Sequence, residues 1–127
     1  MIRNQISVFL ENANGRLTQI TGILAENNID LQALNIAEAS DYGILRVIVD
    51  DEEKALKVLS DNGFIAKMSP VTVAVVPNKP GGLHALLKKM SDENIGIEYM
   101  YSIFGGADGD AKMIFKSDNS EKLEEIL

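Results

Sequence analysis

The chain has no cysteine and no tryptophan, and it has one histidine. Without cysteine there is no disulfide, no zinc–thiolate site and no thiol nucleophile, which fits a reducing, cytoplasmic setting. No stretch approaches the ~20 apolar residues that span a bilayer, and no charged segment followed by an apolar signal region opens the chain. Basic residues are also scarce. Against 19 Asp and Glu there are 12 Lys and Arg, a formal charge of −7. Nucleic-acid affinity is largely the neutralisation of phosphates by Lys and Arg, so no nucleic-acid partner is expected, nor a membrane. No nucleophile–base–orienter set is visible and no serine sits in a nucleophile elbow. The expectation is a protein that is not an enzyme and holds no cofactor and no metal.

What is present is a repeat. Asn12-Ala13-Asn14-Gly15 and Asn78-Lys79-Pro80-Gly81 each follow a run that reads as a strand and open a run that reads as a helix. The offset is 81 − 15 = 66 residues. It continues through Leu17 and Leu83, Ile20 and Leu86, Leu24 and Met90, and through Glu26-Asn27-Asn28-Ile29-Asp30-Leu31 against Asp92-Glu93-Asn94-Ile95-Gly96-Ile97. A repeat of this length fixes the architecture before any local reading does. It divides the 127 residues into 1–69 and 70–127. Units of about 60 residues are marginal alone, so mutual support and a homodimer are expected.

Gln5 to Glu11 alternates as a half-buried strand, with Ile6, Val8 and Leu10 on one face. Arg16 to Asn28 carries Leu17, Ile20, Ile23 and Leu24 at amphipathic-helix spacing. Leu31–Ala39 and Ile44–Val49 read as strands around a turn at Ser40–Gly43. A helix with Ala55, Leu56 and Leu59 follows, stopped at Gly63, and then a short strand at Phe64–Ser69. The order is β-α-β-β-α-β, the ferredoxin-like pattern. Pro70 separates this from Val71–Val76, where the order begins again: a helix with Leu83, Leu86, Leu87 and Met90, strands at Ile97–Phe104 and Ala111–Lys116 around the turn Gly105–Gly109, and a helix from Ser120 with Leu123, Ile126 and Leu127. The expected fold class is α+β: tandem ferredoxin-like βαββαβ units with antiparallel sheets and helices on one face. The second unit lacks its last strand, and a partner subunit or another segment is expected on that edge.

The repeated loop offers a chemistry. Backbone N–H groups at a helix start lack helical partners, and the dipole makes that end slightly positive, so a carboxylate is a natural ligand. The amides of Asn12 and Asn78 both donate and accept, which suits an α-amino acid. The competing reading is that Asn and Gly are simply good turn residues.

These residues resemble the ACT domain. The family pattern of Asp/Asn-x-Pro-Gly-x-Leu, a helix and a short Ile-Asn-Ile-like start to the second strand is similar to Asn78-Lys79-Pro80-Gly81-Gly82-Leu83, to Asn12-Ala13-Asn14-Gly15-Arg16-Leu17 and to the repeated segment around Ile29 and Ile95. The resemblance covers nearly the whole chain as two tandem copies. It implies regulatory binding of a small molecule, most often an amino acid, at interfaces between ACT units. The ligand-binding residues it implies are Asn12, Ala13, Asn14, Gly15, Arg16, Leu17 and Asp30 in one copy, and Asn78, Lys79, Pro80, Gly81, Gly82, Leu83 and His84 in the other. Asp30 and Gly96 replace the second-strand Asn of serine-type sites, and Leu10 and Val76 replace the histidine sometimes found at the loop start. Tyr99 and Tyr101 share one sheet face and join the candidates as a pocket or interface lining. Gly81, behind Pro80 and near these tyrosines, is expected to have the more distinctive surroundings.

Two other readings remain. One is an interaction module that regulates a separate enzyme of amino-acid metabolism, with vestigial ligand sites. The other is a phosphate hydrolase on the same fold, for which only Arg16 and Asn35 offer themselves. The acidic run Asp50–Glu53 reads as a helix start and not as a metal site.

Overall fold

The structure, a computed structural model, describes residues 1–11, 14–38, 41–104 and 109–127. Its elements run β1 (Ile2–Glu11), α1 (Arg16–Glu26), β2 (Leu31–Glu38), β3 (Tyr42–Val49), α2 (Glu52–Asp61), β4 (Ala66–Pro77), α3 (Gly82–Asp92), β5 (Ile97–Ser102), β6 (Asp110–Ser117) and α4 (Ser120–Ile126). The chain separates into two compact units, Asn4–Ser69 and Met1–Arg3 with Pro70–Leu127. They are called the first and second unit below. Most of the Gly105–Gly109 turn, and Ser40 of the other, lie outside the described residues.

In the first unit the strands lie in the order β2-β3-β1-β4, the last contributing Ala66–Ser69. Register follows from alternation: Ile6, Val8 and Leu10 stand opposite Val47, Leu45 and Gly43. These side chains meet Ile20, Ile23 and Leu24 of α1 and Ala55 and Leu59 of α2 in one core, so both helices cover the same sheet face. Each such fully buried Leu, Ile or Val contributes roughly 1.5–3 kcal/mol. The opposite face carries Phe9 stacked on Tyr42, with centroids 5.0 Å apart. Gln5, expected on that outward face, is nonetheless fully buried.

In the second unit the order is β4-β6-β5. Ala74 and Val76 of β4 and Phe115 of β6 meet Leu86 and Met90 of α3 and Leu123 of α4. Leu127 is 47% exposed and does not join this core. The edge beside β4, expected to need a partner or another segment, carries the chain's own first residues. The Val73 N–H donates to the Met1 carbonyl at 2.7 Å, and the Met1 ammonium donates to the Val73 carbonyl at 3.1 Å. Met1 to Asn4 shows no alternation, so no local pattern marks the start of β1 at Ile2.

Pro70 does not divide two strands, because β4 runs through it to Pro77. The reason is the direction of the missing donor. Val73 exchanges both backbone bonds with Met1, so its N–H points that way, and N–H directions alternate along a strand. A donor at Pro70 would point toward β6, but that ladder begins only at Thr72, opposite Phe115. Proline therefore removes no bond there.

Each of the first three helices stops in the same way. After α1, the Ile29 N–H reaches the Leu24 carbonyl at 2.9 Å and the Asn28 N–H reaches the Ala25 carbonyl at 3.0 Å. Phe64 and Gly63 repeat this after α2, and Ile95 and Asn94 after α3. This Schellman pattern needs a left-handed residue at the turn. Asn28, Gly63 and Asn94 supply it, with φ of 56°, 86° and 56°. Beyond the turn an aspartate latches the start of the next strand. Asp50 Oδ1 accepts the Asp30 N–H at 2.9 Å, and Asp118 Oδ1 accepts the Gly96 N–H at 2.8 Å. The Asp50 N–H returns a bond to the Asp30 carbonyl at 3.2 Å, and Asp118 to Gly96 at 3.0 Å. Next in the chain, Asp51 and Asn119 cap α2 and α4 by accepting the Lys54 and Lys122 N–H groups. The acidic run is thus spent on a latch and a helix cap.

Replacing a latch carboxylate should leave the partner N–H to solvent. Asp50→Ala and Asp118→Ala are each expected to lower the unfolding free energy by about 1 kcal/mol. Urea melts should show a lower midpoint at unchanged slope, and unmoved midpoints would show that the latch adds nothing.

Candidate functional site

Each strand-to-helix corner turns on one glycine in the left-handed region. Gly15 precedes α1 with φ 85°, and Gly81 precedes α3 with φ 84°. A Cβ at either would meet nothing within 4 Å, so backbone conformation, not crowding, demands glycine. The Gly15 carbonyl accepts the Gln19 N–H at 2.9 Å, and the Gly81 carbonyl accepts the Ala85 N–H at 3.0 Å. At the second corner the loop uses up several of its own donors. Asn78 N–H donates to Gly109, Lys79 to Pro77 and Gly82 to Lys79. That leaves the Leu83 and His84 N–H groups, and at the first corner those of Leu17 and Thr18, without a bond to any described residue. The second helix start therefore offers a pair of such donors, fewer than the four orphans of an uncapped helix.

The surroundings differ. Beside Gly15 opens a cavity of about 320 Å³, walled by the corner itself, by Leu10 and Glu11 at the end of β1, by Ile36 and Glu38 at the end of β2, and by Tyr42 and Gly43 at the start of β3. Antiparallel pairing of β1 and β2 with β3 brings these ends together. Arg16 is not a free surface cation. Its guanidinium donates to Glu11 Oε2 at 2.9 Å and to Gln19 Oε1 at 3.1 Å, and it lies 6.0 Å from the Phe64 ring centroid. Glu38 is exposed.

At the second corner the 66-residue offset places Pro77, Pro80, Gly82, Ser102 and Phe104 where the first has Glu11, Asn14, Arg16, Ile36 and Glu38. The positions of Glu11, Arg16 and Glu38 are thereby uncharged, while Asp110 stands opposite Pro77 as Tyr42 stands opposite Glu11. Gly82 is buried, and an added Cβ would overlap the Pro77 carbonyl oxygen, so its role is close packing of helix on strand. A groove of about 390 Å³ beside it runs along Val73–Pro77, Ala85 and Leu86. Its one charged side chain, Lys89, donates to the Ile126 carbonyl at 2.9 Å.

Several sequence candidates lie elsewhere. Asn12 and Ala13 fall outside the described residues. Asp30 stands beyond the far end of α1, whose 11 residues separate it from Gly15 by roughly 16 Å. Its backbone is held by Asp50. Tyr99 and Tyr101 stack on each other with centroids 6.4 Å apart. They point away from α3 and α4, because the intervening Met100 packs into the helix-side core. Alternation within β5 thus removes them from the Gly81 corner. His84, Asn78, Lys79 and Pro80 are exposed, while Leu83 packs on the second core. Asn35, the proposed partner of Arg16 in a phosphate cradle, instead accepts from Arg46 at 3.3 Å. Leu10, Glu11, Ile36, Glu38, Tyr42 and Gly43 were not among the candidates. They belong to strand ends whose proximity is set by pairing, which no local motif encodes. No cluster that would hold a metal ion occurs among the described residues, and no helix there is long and apolar enough to cross a membrane.

Comparison with known proteins agrees with this geometry. The family model for the ACT domain pair matches residues 1–127. The crystal structure of protein BT0572 from Bacteroides thetaiotaomicron is 45% identical, with a TM-score of 0.92 over 100% of this chain and 87% of that one. The regulatory subunits of aspartate kinase from Thermus thermophilus and Thermus flavus share the fold at 13% and 15% identity, with TM-scores of 0.69 and 0.64. The match covers 98% of this chain in both cases, with 93% of the first and 89% of the second. No curated protein matches the chain. The chain belongs to the ACT domain pair family, and no catalytic family is indicated.

The corner glycines make a direct test. Gly15→Ala and Gly81→Ala should each cost about 1–2 kcal/mol, and the Asn variants less, because asparagine tolerates the left-handed region. Gly82→Ala should cost more than Gly81→Ala. Denaturant titration checks the order, and equal losses at Gly81 and Gly82 would contradict the close approach described above.

Proposed function

We propose that this chain is a non-catalytic regulatory sensor that binds an L-amino acid in the cavity beside Gly15. The supporting observation is the layout of charge around a space of about 320 Å³. That volume is at the low end of the ~300–1,000 Å³ typical of small-molecule sites, and it suits a single amino acid. The ligand carboxylate would face the start of α1, with the Leu17 and Thr18 N–H groups and the positive end of the helix dipole. Glu38 stands across the cavity for the ammonium. Glu11 and Arg16 already neutralise each other, so the wall presents one unbalanced negative charge. The Gly81 corner keeps the left-handed glycine and its donor pair, but Pro77, Gly82 and Phe104 stand where the first corner has Glu11, Arg16 and Glu38, and the charge at its matching strand end is Asp110, opposite Pro77; we assign it the weaker site.

Binding would regulate by differential affinity: a ligand shifts an equilibrium only as far as it prefers one arrangement over another. A homodimer, a cytoplasmic location and a separate regulated enzyme belong to this reading. A second reading, docking of a partner protein with no ligand, draws on the exposed apolar residues Phe9, Tyr42 and Ile65, of which Ile65 is 73% exposed.

Calorimetric titration and thermal shift with the common L-amino acids separate the two. Under the first reading at least one produces heat and raises the melting temperature, and Glu38→Gln weakens it by about tenfold or more, the loss of a charge-assisted hydrogen bond. Silence from every amino acid favours the second.

A further inference from the structure

Resting on that reading, we infer that the Gly15 cavity selects amino acids with an uncharged, apolar side chain and turns away acidic ones. The apolar side of the wall is continuous. Leu10 stands opposite Gly43 and Ile36 opposite Leu45, so both point to the helix side of the sheet, where Leu17 of α1 also packs. Leu10 is nearly buried, yet Ile36 is 47% exposed. That exposed apolar surface borders the cavity, and an apolar ligand side chain would take it out of water. Gly43 keeps the space open beside Leu10. A Cβ there would touch the Ala37 carbonyl oxygen at 3.5 Å and Leu10 Cβ at 3.8 Å, so anything longer would reach into the cavity.

The charges act as the filter. A zwitterion satisfies the helix start with its carboxylate and Glu38 with its ammonium. A second carboxylate on the ligand would meet Glu11 and Glu38, and the one cation in the wall, Arg16, is held by Glu11 at 2.9 Å and Gln19 at 3.1 Å. A basic side chain would have to share Glu38 with the ammonium or lie against Leu10 and Leu17. Like-charge contact and stranded charge both act as selection against the wrong ligand.

The repeat supplies the variant. Ser102 occupies the position of Ile36 in the second half, so Ile36→Ser copies a residue this architecture already accepts, at an exposed site. The full chain would be titrated with L-leucine, L-phenylalanine, L-alanine, L-glutamate and L-lysine. Leucine or phenylalanine should bind about tenfold or more tighter than alanine, the range expected for extra methylenes in an apolar pocket. Glutamate should give no heat. Ile36→Ser should bring the better apolar ligand to within about threefold of alanine. Glutamate or lysine binding as tightly as leucine overturns the inference, as does an unchanged ranking in Ile36→Ser. No heat from any amino acid overturns the underlying reading as well, so the two failures are distinguishable.

Discussion

A glycine in the left-handed region decides where each first helix of a unit begins and which way its positive end faces. At Gly15 and Gly81 the chain leaves a strand and reverses into a helix within one residue of positive φ. The reversal lays the helix back along its strand, so that the stripes Ile20–Leu24 and Leu86–Met90 meet the inward strand residues. It also leaves the helix start at the rim of the sheet, beside the ends of the neighbouring strands. Core and candidate site are two consequences of one backbone conformation.

The far ends of the same helices are held as firmly. An asparagine in the left-handed region stops α1 and α3, an isoleucine follows it into the core, and an aspartate latches the next residue. The duplication has kept both of these ends. It has not kept the wall of the corner: Glu11, Arg16, Ile36 and Glu38 face Pro77, Gly82, Ser102 and Phe104 at matching positions. Geometry is repeated while chemistry is not. Under the proposed function, a ligand would therefore discriminate between the corners through side chains.

Much of the fold was legible because it is written in periodicity. The helix stripes, the stop at Asn27-Asn28 and at Gly63, and the βαββαβ order all rest on spacings within a dozen residues. The unbroken course of β4 through Pro70 was not legible, since it depends on which neighbour each N–H faces. The placement of Met1–Arg3 beside Val73 was equally hidden, because Met1–Asn4 carries no alternation and its partner is distant in sequence. At the site, the loop motif pointed correctly to Gly15 and Gly81 as corners. Asp30, which the family resemblance added, sits at the other end of the helix, and Tyr99 and Tyr101, which alternation added, lie on the face away from α3 and α4. The family pattern describes the corner's backbone, whereas the cavity's wall comes from strand ends brought together by register.

The position of the cavity bears on regulation. Its wall draws on the end of β1, the start of α1, the end of β2 and the start of β3, all within the first unit. Under the proposed function a ligand there would tie four elements at the rim, while the opposite rim is already tied by Asp50. Binding energy would then be expressed mainly as restraint of the Gly15 corner, with little left to change at the latched end. A tenfold preference for one arrangement of that corner corresponds to about 1.4 kcal/mol. One well-placed charged contact or one covered isoleucine can supply a difference of that size. So a corner of this kind needs no large rearrangement to act as a sensor. Under the proposed function it needs only a wall whose few unbalanced groups, Glu38 and Ile36 foremost, would be satisfied when the ligand is present.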